Sequence, residues 1–344
     1  MKHRFVTGAA ALAAAACAVP GVPDAEIPST PIAIVYRTPE DARRRAEALE
    51  EQAAGGQPSN AKPALAPGAV ARVEDVATYL KLVMTPAALD ALARKFPGRL
   101  ALLDPRTRKV ETVAAAWGEA APHAWSEDRS RLLFTGLVDE FAQLFELDVV
   151  AGEVRPVTHG PAAHPVGCHG PDGSYVWMTA EIVQDEPRSR IEILEPRHTR
   201  PRPLTEGPRD HSPSCAPDGS VVVYVTEPKR GVRWVMARDL RGSEEPRRLG
   251  PGSQPRFCGG SEWIVYTASL RRGTRIWRVR PDGTGRSPIG SSVLDESAPT
   301  CSPDGRLVVY TVTENNRERL HVKRFDGSGD RILYADGNVS HPVW

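Results

Sequence analysis

Aromatic residues and net charge are both scarce in this chain of 344 residues. Phe, Trp and Tyr make up 6% of it, and 44 basic residues against 43 acidic ones leave a formal net charge of +1. A chain with so little net charge has no strong electrostatic attraction for nucleic acid or anionic lipid, so we expect neither as a partner. With 29 Gly and 32 Pro, the composition favours a turn-rich, all-β chain over a helical bundle.

Common catalytic motifs are absent from the sequence as well. It contains no Gly-x-Ser-x-Gly nucleophile motif, no phosphate-binding glycine loop and no Cys-x-x-Cys pair. Beyond the amino terminus, no window approaches the ~18 continuous apolar residues of a membrane span. We therefore predict no catalytic residues, no cofactor and no metal, and contact with a membrane only through a lipid anchor.

The amino terminus has the character of an export signal. Residues 1–17 combine a basic start with a short, alanine-rich apolar stretch that ends in Ala14-Ala15-Ala16-Cys17. This ending resembles a bacterial lipoprotein processing site, at which the Cys17 thiol is acylated, although the pattern prefers Leu or Val where Ala14 stands. Cleavage at a small-residue site without lipidation is the alternative. In both cases we expect a periplasmic protein, and lipidation would anchor it to the outer membrane.

A segment of similar sequence recurs along the rest of the chain. Its copies include "HSPSCAPDGSVVVY" (211–224) and "SAPTCSPDGRLVVY" (297–310). In each copy a short strand ends at an anchor residue, a turn follows, and an apolar strand carries an aromatic residue eight or nine positions after the anchor. The anchors are Trp125, Cys168, Cys215, Cys258, Cys301 and Trp344. Steps of 43 residues, with one of 47, are typical of propeller blades with four short strands each.

This repeat resembles the TolB-type propeller repeat, whose hallmark is a proline, a tryptophan-like anchor, Ser-Pro-Asp-Gly and an apolar strand. The resemblance covers residues 99–344 and is best in "CSPDGRLVVY" and "CAPDGSVVVY". It implies a six-bladed β-propeller in an exported envelope protein. It does not by itself imply an activity, because the repeated residues shape turns and strands, and the same repeat serves carriers, lyases and peptidase accessory domains.

The two chain ends are predicted to form the sixth blade together. Five complete units are followed by "HPVW" (341–344), an inner strand that lacks the rest of its blade. Residues 99–114 have the form of a third and a fourth strand, and we assign the second strand to residues 77–84. Pairing of these strands closes the ring and removes its exposed edges. The predicted domains are an export signal (1–17), a strand–helix extension with a linker (18–75) and the propeller (76–344).

Two helices are predicted outside the repeat units. One follows Thr38, its N-cap, directly after the strand-like "PIAIVYR" (31–37), and the two elements form a short α/β extension. The other spans residues 85–98, where three apolar side chains share one face of a helix. These are Leu89, Leu92 and Phe96.

The four repeat cysteines are predicted to be reduced, buried thiols. The faces of adjacent sheets pack about 10 Å apart, whereas a disulfide requires Cα atoms within about 7 Å of each other. Cysteine would then be a small apolar substitute for the tryptophan anchor. The predicted free thiols are those of Cys168, Cys215, Cys258 and Cys301.

Polar residues near the starts of the inner strands are the candidate binding residues. They lie three or four positions before their anchors and are His164, His211, Gln254 and His341. We expect them at the mouth of the central channel, in contact with an envelope protein or peptide, in a monomeric protein that acts as an interaction scaffold. The alternative is a metal-dependent lyase of uronate polysaccharides, with the channel histidines as ligands. No carboxylate occupies a matching place to orient such ligands, which favours the scaffold.

Overall fold

The computed structural model describes residues 20–44 and 98–344, apart from short gaps at 115–116, 118–119, 139–140, 185, 243–244, 271–272, 292–293 and 315–316. Within these residues, six four-stranded antiparallel sheets form the six blades of a propeller. The prediction of an all-β, six-bladed propeller is therefore confirmed.

The strands are numbered along the chain, and the blades from the first complete one. The chain enters through β1 (Ile32–Arg37), β2 (Arg99–Leu103) and β3 (Val110–Thr112). Blade 1 contains β4 (Ala121–Trp125), β5 (Arg131–Val138), β6 (Phe141–Asp148) and β7 (Val154–Pro156). Blade 2 contains β8 (Gly167–His169), β9 (Tyr175–Val183), β10 (Glu186–Leu194) and β11 (Arg202–Pro203). Blade 3 contains β12 (Asp210–Cys215), β13 (Val221–Lys229), β14 (Val232–Asp239) and β15 (Arg247–Pro251).

The remaining blades follow the same order from the channel outward. Blade 4 contains β16 (Ser253–Cys258), β17 (Trp263–Ser269), β18 (Thr274–Val279) and β19 (Ser287–Pro288). Blade 5 contains β20 (Glu296–Cys301), β21 (Leu307–Glu314), β22 (Arg317–Arg324) and β23 (Arg331–Tyr334). Blade 6 combines β24 (Asn338–Val343) with β1, β2 and β3. Single 3₁₀ turns lie at Asp24–Glu26 and Pro171–Gly173.

The repeated Ser-Pro-Asp-Gly segment forms the turn between an inner strand and the next strand outward. In blade 5 the Asp304 carboxylate accepts hydrogen bonds from the Ser302 hydroxyl (2.6 Å) and from the backbone N–H of Arg306 (3.1 Å). Gly305 has a φ of 71°, a backbone conformation that glycine adopts without steric cost. The Asp and Gly of the repeat are thus explained by turn geometry.

Apolar side chains fill the space between neighbouring blades. Between blades 4 and 5, for example, Val265, Ile276, Val308 and Tyr310 are fully buried in one cluster. The repeated aromatic residue of each second strand is buried in these layers, as for Phe134, Trp177, Tyr224, Tyr266 and Tyr310. β-branched and aromatic residues suit such strands, whose two faces are both covered.

Blade 6 closes the ring by pairing the two ends of the chain. β24 pairs with β1 through Tyr36 and Val339, and β1 pairs with β2 through Val35 and Leu100. Closure through the C-terminal inner strand is as predicted, but the second strand comes from residues 32–37. The assignment of residues 77–84 to that strand is therefore wrong, and those residues lie outside the described part of the chain.

The boundary predicted between an extension and the propeller also needs correction. β1 is part of blade 6, and the residues before β1 pack on blade 5. There the N–H of Val22 donates to the carbonyl of Gly329 (2.8 Å), and Glu26 pairs with Arg324 (2.8 Å). A segment assigned to an extension thus belongs to the ring. The assignment failed because an apolar strand with the right pattern can occupy either place, and only packing distinguishes them.

The helix predicted after Thr38 begins as expected. The Thr38 hydroxyl accepts a hydrogen bond from the N–H of Asp41 (3.2 Å), the usual N-cap contact, and residues 39–44 are helical. Residues 45–97 lie outside the described part of the chain, and with them the rest of that predicted helix, the predicted linker and all but the last residue of the helix predicted at 85–98. Where the structure is described, no helix combines the length and the apolar character that crossing a membrane requires.

The prediction of four free thiols is wrong. Cys168 is bonded to Cys215, and Cys258 to Cys301, with Cα–Cα distances of 5.7 and 5.3 Å. The 10 Å spacing of stacked sheets does not apply here, because the blades converge toward the axis and their inner strands approach each other more closely than their outer strands do. Each disulfide therefore links two neighbouring blades, 2 to 3 and 4 to 5.

Candidate functional site in the central channel

A β-bulge interrupts most of the inner strands and explains another repeated residue. In four blades a residue with positive φ precedes a proline, and the pairing register shifts at this point. The positive-φ residues are Ser212 (54°), Gln254 (52°), Ala298 (46°) and His341 (52°). Proline suits the next position because the bulged residue makes no ladder hydrogen bond.

The four predicted channel residues do not occupy equivalent places. Gln254 and His341 are bulge residues, whereas His211 precedes its bulge and pairs with Val225. His164 lies before the first residue of β8. Counting back from the cysteine misaligned them, because the number of residues between the bulge and the cysteine differs from blade to blade. That the four contact a partner stays a prediction.

Gln254 and His164 make contacts that stabilise the fold. The Gln254 side-chain oxygen accepts hydrogen bonds from the Thr267 hydroxyl (3.1 Å) and from the N–H of Ala298 in blade 5 (2.9 Å), so it links two blades. His164 is buried against Trp177, with ring centroids 5.7 Å apart, and its Nδ1 lies 3.3 Å from the Thr179 hydroxyl. Burial lowers the pKa of His164 to about 4, so the ring is neutral near pH 7.

A histidine that the sequence analysis overlooked also lies at the channel. His123 occupies the bulge of β4, between Pro122 and Ala124, where the other bulges have proline. Its Nε2 contacts the Thr135 hydroxyl, which donates to the carbonyl of Pro165 (2.7 Å). Since that hydroxyl proton is already used, His123 Nε2 must be the donor. The departure from the repeated proline was the sequence signal for this residue.

Two basic side chains act electrostatically on His123. Burial, and then the charges of Arg256 and His341, hold the pKa of His123 well below its usual range. Arg256 belongs to β16 of blade 4, which faces blade 1 across the channel of a six-bladed ring. His341 lies on β24 of blade 6, next to blade 1, and its Nδ1 is 3.2 Å from the Ser340 hydroxyl. The channel therefore brings together three basic side chains from three blades.

Acidic and amide side chains at the first residues of inner strands hold neighbouring blades together. Glu296, which is fully buried, accepts hydrogen bonds from the N–H of Ile276 in blade 4 (3.1 Å) and from the Lys323 ammonium (2.8 Å). Asn338 similarly accepts from the N–H of Glu318 in blade 5 (2.6 Å). These polar groups are paired within the fold and are structural.

Known proteins resemble this chain in part of its sequence and in its fold. No protein-family model matches the chain. An uncharacterised protein of Agrobacterium fabrum is 26% identical over 262 residues, which cover 70% of this chain and 85% of that protein. The Tol-Pal system protein TolB of Geobacter sulfurreducens is 34% identical over 73 residues, which cover 21% and 17%. The structure of TolB from Acinetobacter baumannii superposes with a TM-score of 0.63 at 17% identity, covering 91% of this chain and 66% of that one.

The chain has a TolB-like propeller fold. It spans just under two thirds of the Acinetobacter TolB chain and a small part of the Geobacter protein. The likeness therefore concerns the propeller fold and not the partners or activities of these relatives.

One further polar cluster of the TolB-like propeller lies between blades 1 and 2. The Glu146 carboxylate accepts hydrogen bonds from Arg155 Nε (2.7 Å), His169 Nε2 (2.9 Å) and the Tyr175 hydroxyl (3.0 Å), with Arg131 close by at 3.4 Å. Burial alone would raise the pKa of Glu146, but these hydrogen bonds and the Arg131 charge outweigh it and lower the pKa to about 2. Every oxygen of this carboxylate is used within the fold, so the cluster joins two blades.

The structure does not bring His164, His211 and His341 together. His164 contacts Thr179 in blade 2, whereas His211 and His341 each contact the serine next to them in sequence, Ser212 or Ser340. Among the residues that the structure describes, no three His, Cys, Asp or Glu side chains are grouped as metal ligands would be.

Proposed function

We propose that this TolB-like propeller is an exported envelope protein that binds another protein or a peptide through its channel. The proposal rests mainly on two residues that differ from the repeat pattern and lie at the same channel. His123 replaces a bulge proline, Arg256 replaces a small residue, and both lie at the channel. In a repeat fold, residues that break the local pattern at one place indicate a functional site. The similarity to TolB proteins supports a protein partner.

The proposed compartment is the periplasm. Disulfides persist in oxidising compartments, and Cys168–Cys215 and Cys258–Cys301 fit that setting. The basic and alanine-rich start of the chain supports export, and the TolB relatives support an envelope location. Acylation of Cys17, which lies outside the described residues, would add an anchor in the outer membrane, and we propose a monomeric state for the ring.

The lyase alternative has no observation in its favour. It required the imidazoles of His164, His211 and His341 to converge, and these side chains make separate contacts in blades 2, 3 and 6. Recognition without catalysis is the simpler use of a channel with arginine and histidine side chains.

Site-specific photo-crosslinking in cells tests the proposal. In the two test variants a photoreactive phenylalanine analogue replaces Ser253 or Ser297, which are half-buried at the starts of inner strands. In the two control variants it replaces Arg202 or Val150, which are exposed at the periphery. We expect a discrete crosslinked partner from the two channel positions, identified by mass spectrometry, and none from the controls. Equal crosslinking at all four positions, or none at the channel positions, would contradict the proposal.

A further inference from the structure

Arg256 departs from the repeat at a position defined by strand register. It pairs with Val265, the residue before the buried aromatic Tyr266. The residues that make the same pairing in blades 1, 2, 3 and 5 are all small. They are Ala124 opposite Leu133, Cys168 opposite Val176, Ser214 opposite Val223 and Thr300 opposite Val309. The fold thus accepts a short side chain here in four blades, and blade 4 places the longest basic side chain there instead.

The Arg256 side chain extends into the channel. Its charge acts on His123, and the inner strands of blades 4 and 1, which carry these two residues, lie on opposite sides of the channel. The short side chains at the same level in other blades leave room for it. The guanidinium is therefore half-buried at a level that a ligand entering the channel would reach.

No counter-ion accompanies Arg256. Among the described residues its side chain has no hydrogen-bond, ion-pair or aromatic partner, and its pKa falls to about 10 through burial alone, with no contribution from a carboxylate. The buried Lys323 ammonium pairs with Glu296, and the half-buried Arg190 guanidinium pairs with Glu192. Leaving a half-buried charge unpaired is unfavourable, so its presence points to a missing anionic partner.

We propose that Arg256 is the anion-binding residue of the channel and takes an oxyanion, which on a protein partner is a carboxylate. The planar guanidinium fork donates two parallel hydrogen bonds to a carboxylate or phosphate, and partial burial strengthens that interaction. The inference rests on the proposed function, in that the channel is the binding site, and it assigns the chemistry of the ligand.

Thermal unfolding in different salts tests the assignment. Melting temperatures of the wild type, R256Q and R256K are measured in acetate, in phosphate and in chloride at matched ionic strength. R306Q is the matched control, since Arg306 lies on an exposed turn of blade 5 and loses the same charge. A ligand that binds only the folded state raises its melting temperature. We expect acetate or phosphate to stabilise the wild type and R306Q relative to chloride, with an apparent affinity about tenfold or more weaker in R256Q.

The outcomes separate the alternatives. Stabilisation by acetate supports a carboxylate ligand, and stabilisation by phosphate alone supports a phosphate. In chloride, R256Q should melt at or above the wild-type temperature, because it removes an unpaired charge. Equal anion effects in R256Q and wild type, no anion effect in wild type, or a large loss of stability in R256Q alone would each overturn the assignment. Channel crosslinks that persist without an anion effect would refute the assignment and leave the proposed function intact.

Discussion

Cys168 and Cys215 lie at the inner edges of neighbouring blades, with Cα atoms 5.7 Å apart, and form a disulfide. Cys258 and Cys301 do the same two blades further on, at 5.3 Å. At the third junction of this kind the anchors are tryptophans, and Trp125 Nε1 donates to the carbonyl of Val343 (3.1 Å). Every second junction between blades is thus linked near the channel. Disulfides link blades 2 and 3 and blades 4 and 5, and a hydrogen bond links blades 6 and 1.

Removing a disulfide should destabilise the fold. The bonds close loops of 47 and 43 residues, for which chain entropy estimates about 4 kcal/mol each. We expect C168A/C215A to lower the free energy of unfolding by up to this amount, measured by denaturant titration. Under denaturing, non-reducing conditions, wild-type protein should show no reactive thiol from the four positions, and four after reduction. Four thiols before reduction would show that the bonds do not form.

Truncating the C-terminal strand should destabilise the whole ring. Deletion of residues 340–344 removes most of β24 and leaves β1 with an exposed edge. The single variant W344A is milder. Its indole is buried and donates to the Thr30 carbonyl (2.9 Å), and we expect a loss of about 3–5 kcal/mol. The control V150A, at an 87% exposed residue, should change stability by less than about 0.5 kcal/mol. A truncated chain that melts like wild type would refute closure by β24.

The Glu146 cluster should make stability depend on acid pH. Its pKa is lowered from 4.5 to about 2 in the folded protein, so the carboxylate stabilises the fold above pH 4.5, and this contribution is lost as the pH falls from 4.5 to about 2. At pH 7, E146Q should cost about 1–3 kcal/mol because its charged donors lose their acceptor. The difference between E146Q and wild type should shrink toward pH 2.

A matched comparison isolates the effect of burial at Glu146. Glu195 pairs with Arg202 at 3.0 Å but is 37% exposed, so E195Q should change stability by less than about 1 kcal/mol at any pH. If E146Q and E195Q showed the same pH profile, the interblade cluster would not be the source of the acid sensitivity.

His164 should stay neutral well below the usual histidine range. Burial lowers its pKa to about 4 from 6.5. The unfolded chain therefore binds this proton more readily, and stability declines as the pH falls from 6.5 to about 4. Two-dimensional NMR of the imidazole signals should show a midpoint near 4, while the H164A spectrum identifies the signal. A midpoint near 6.5 would mean that the ring is solvated and available at the channel mouth.

The all-β class, the repeat and the number of blades could be predicted from the sequence. These features depend on contacts within one repeat unit or between adjacent units, so they recur every 43 residues and are visible in the sequence. Examples are the prolines at the bulges, Asp304 and Gly305 in the turn, and Tyr310 in the layer between blades. The unpaired inner strand at the C-terminus required a partner from the other end of the chain.

Which segments and side chains meet across blades depends on packing in the closed ring. Residues 32–37 and 77–84 both have a strand pattern, and selection of the former depends on packing against β24 and β2. The disulfides depend on how closely inner strands converge near the axis, a distance that no repeat length encodes. Arg256 and His123 interact electrostatically across the channel because blades 4 and 1 are opposite in a closed ring of six, and closure requires strands from both ends of the propeller.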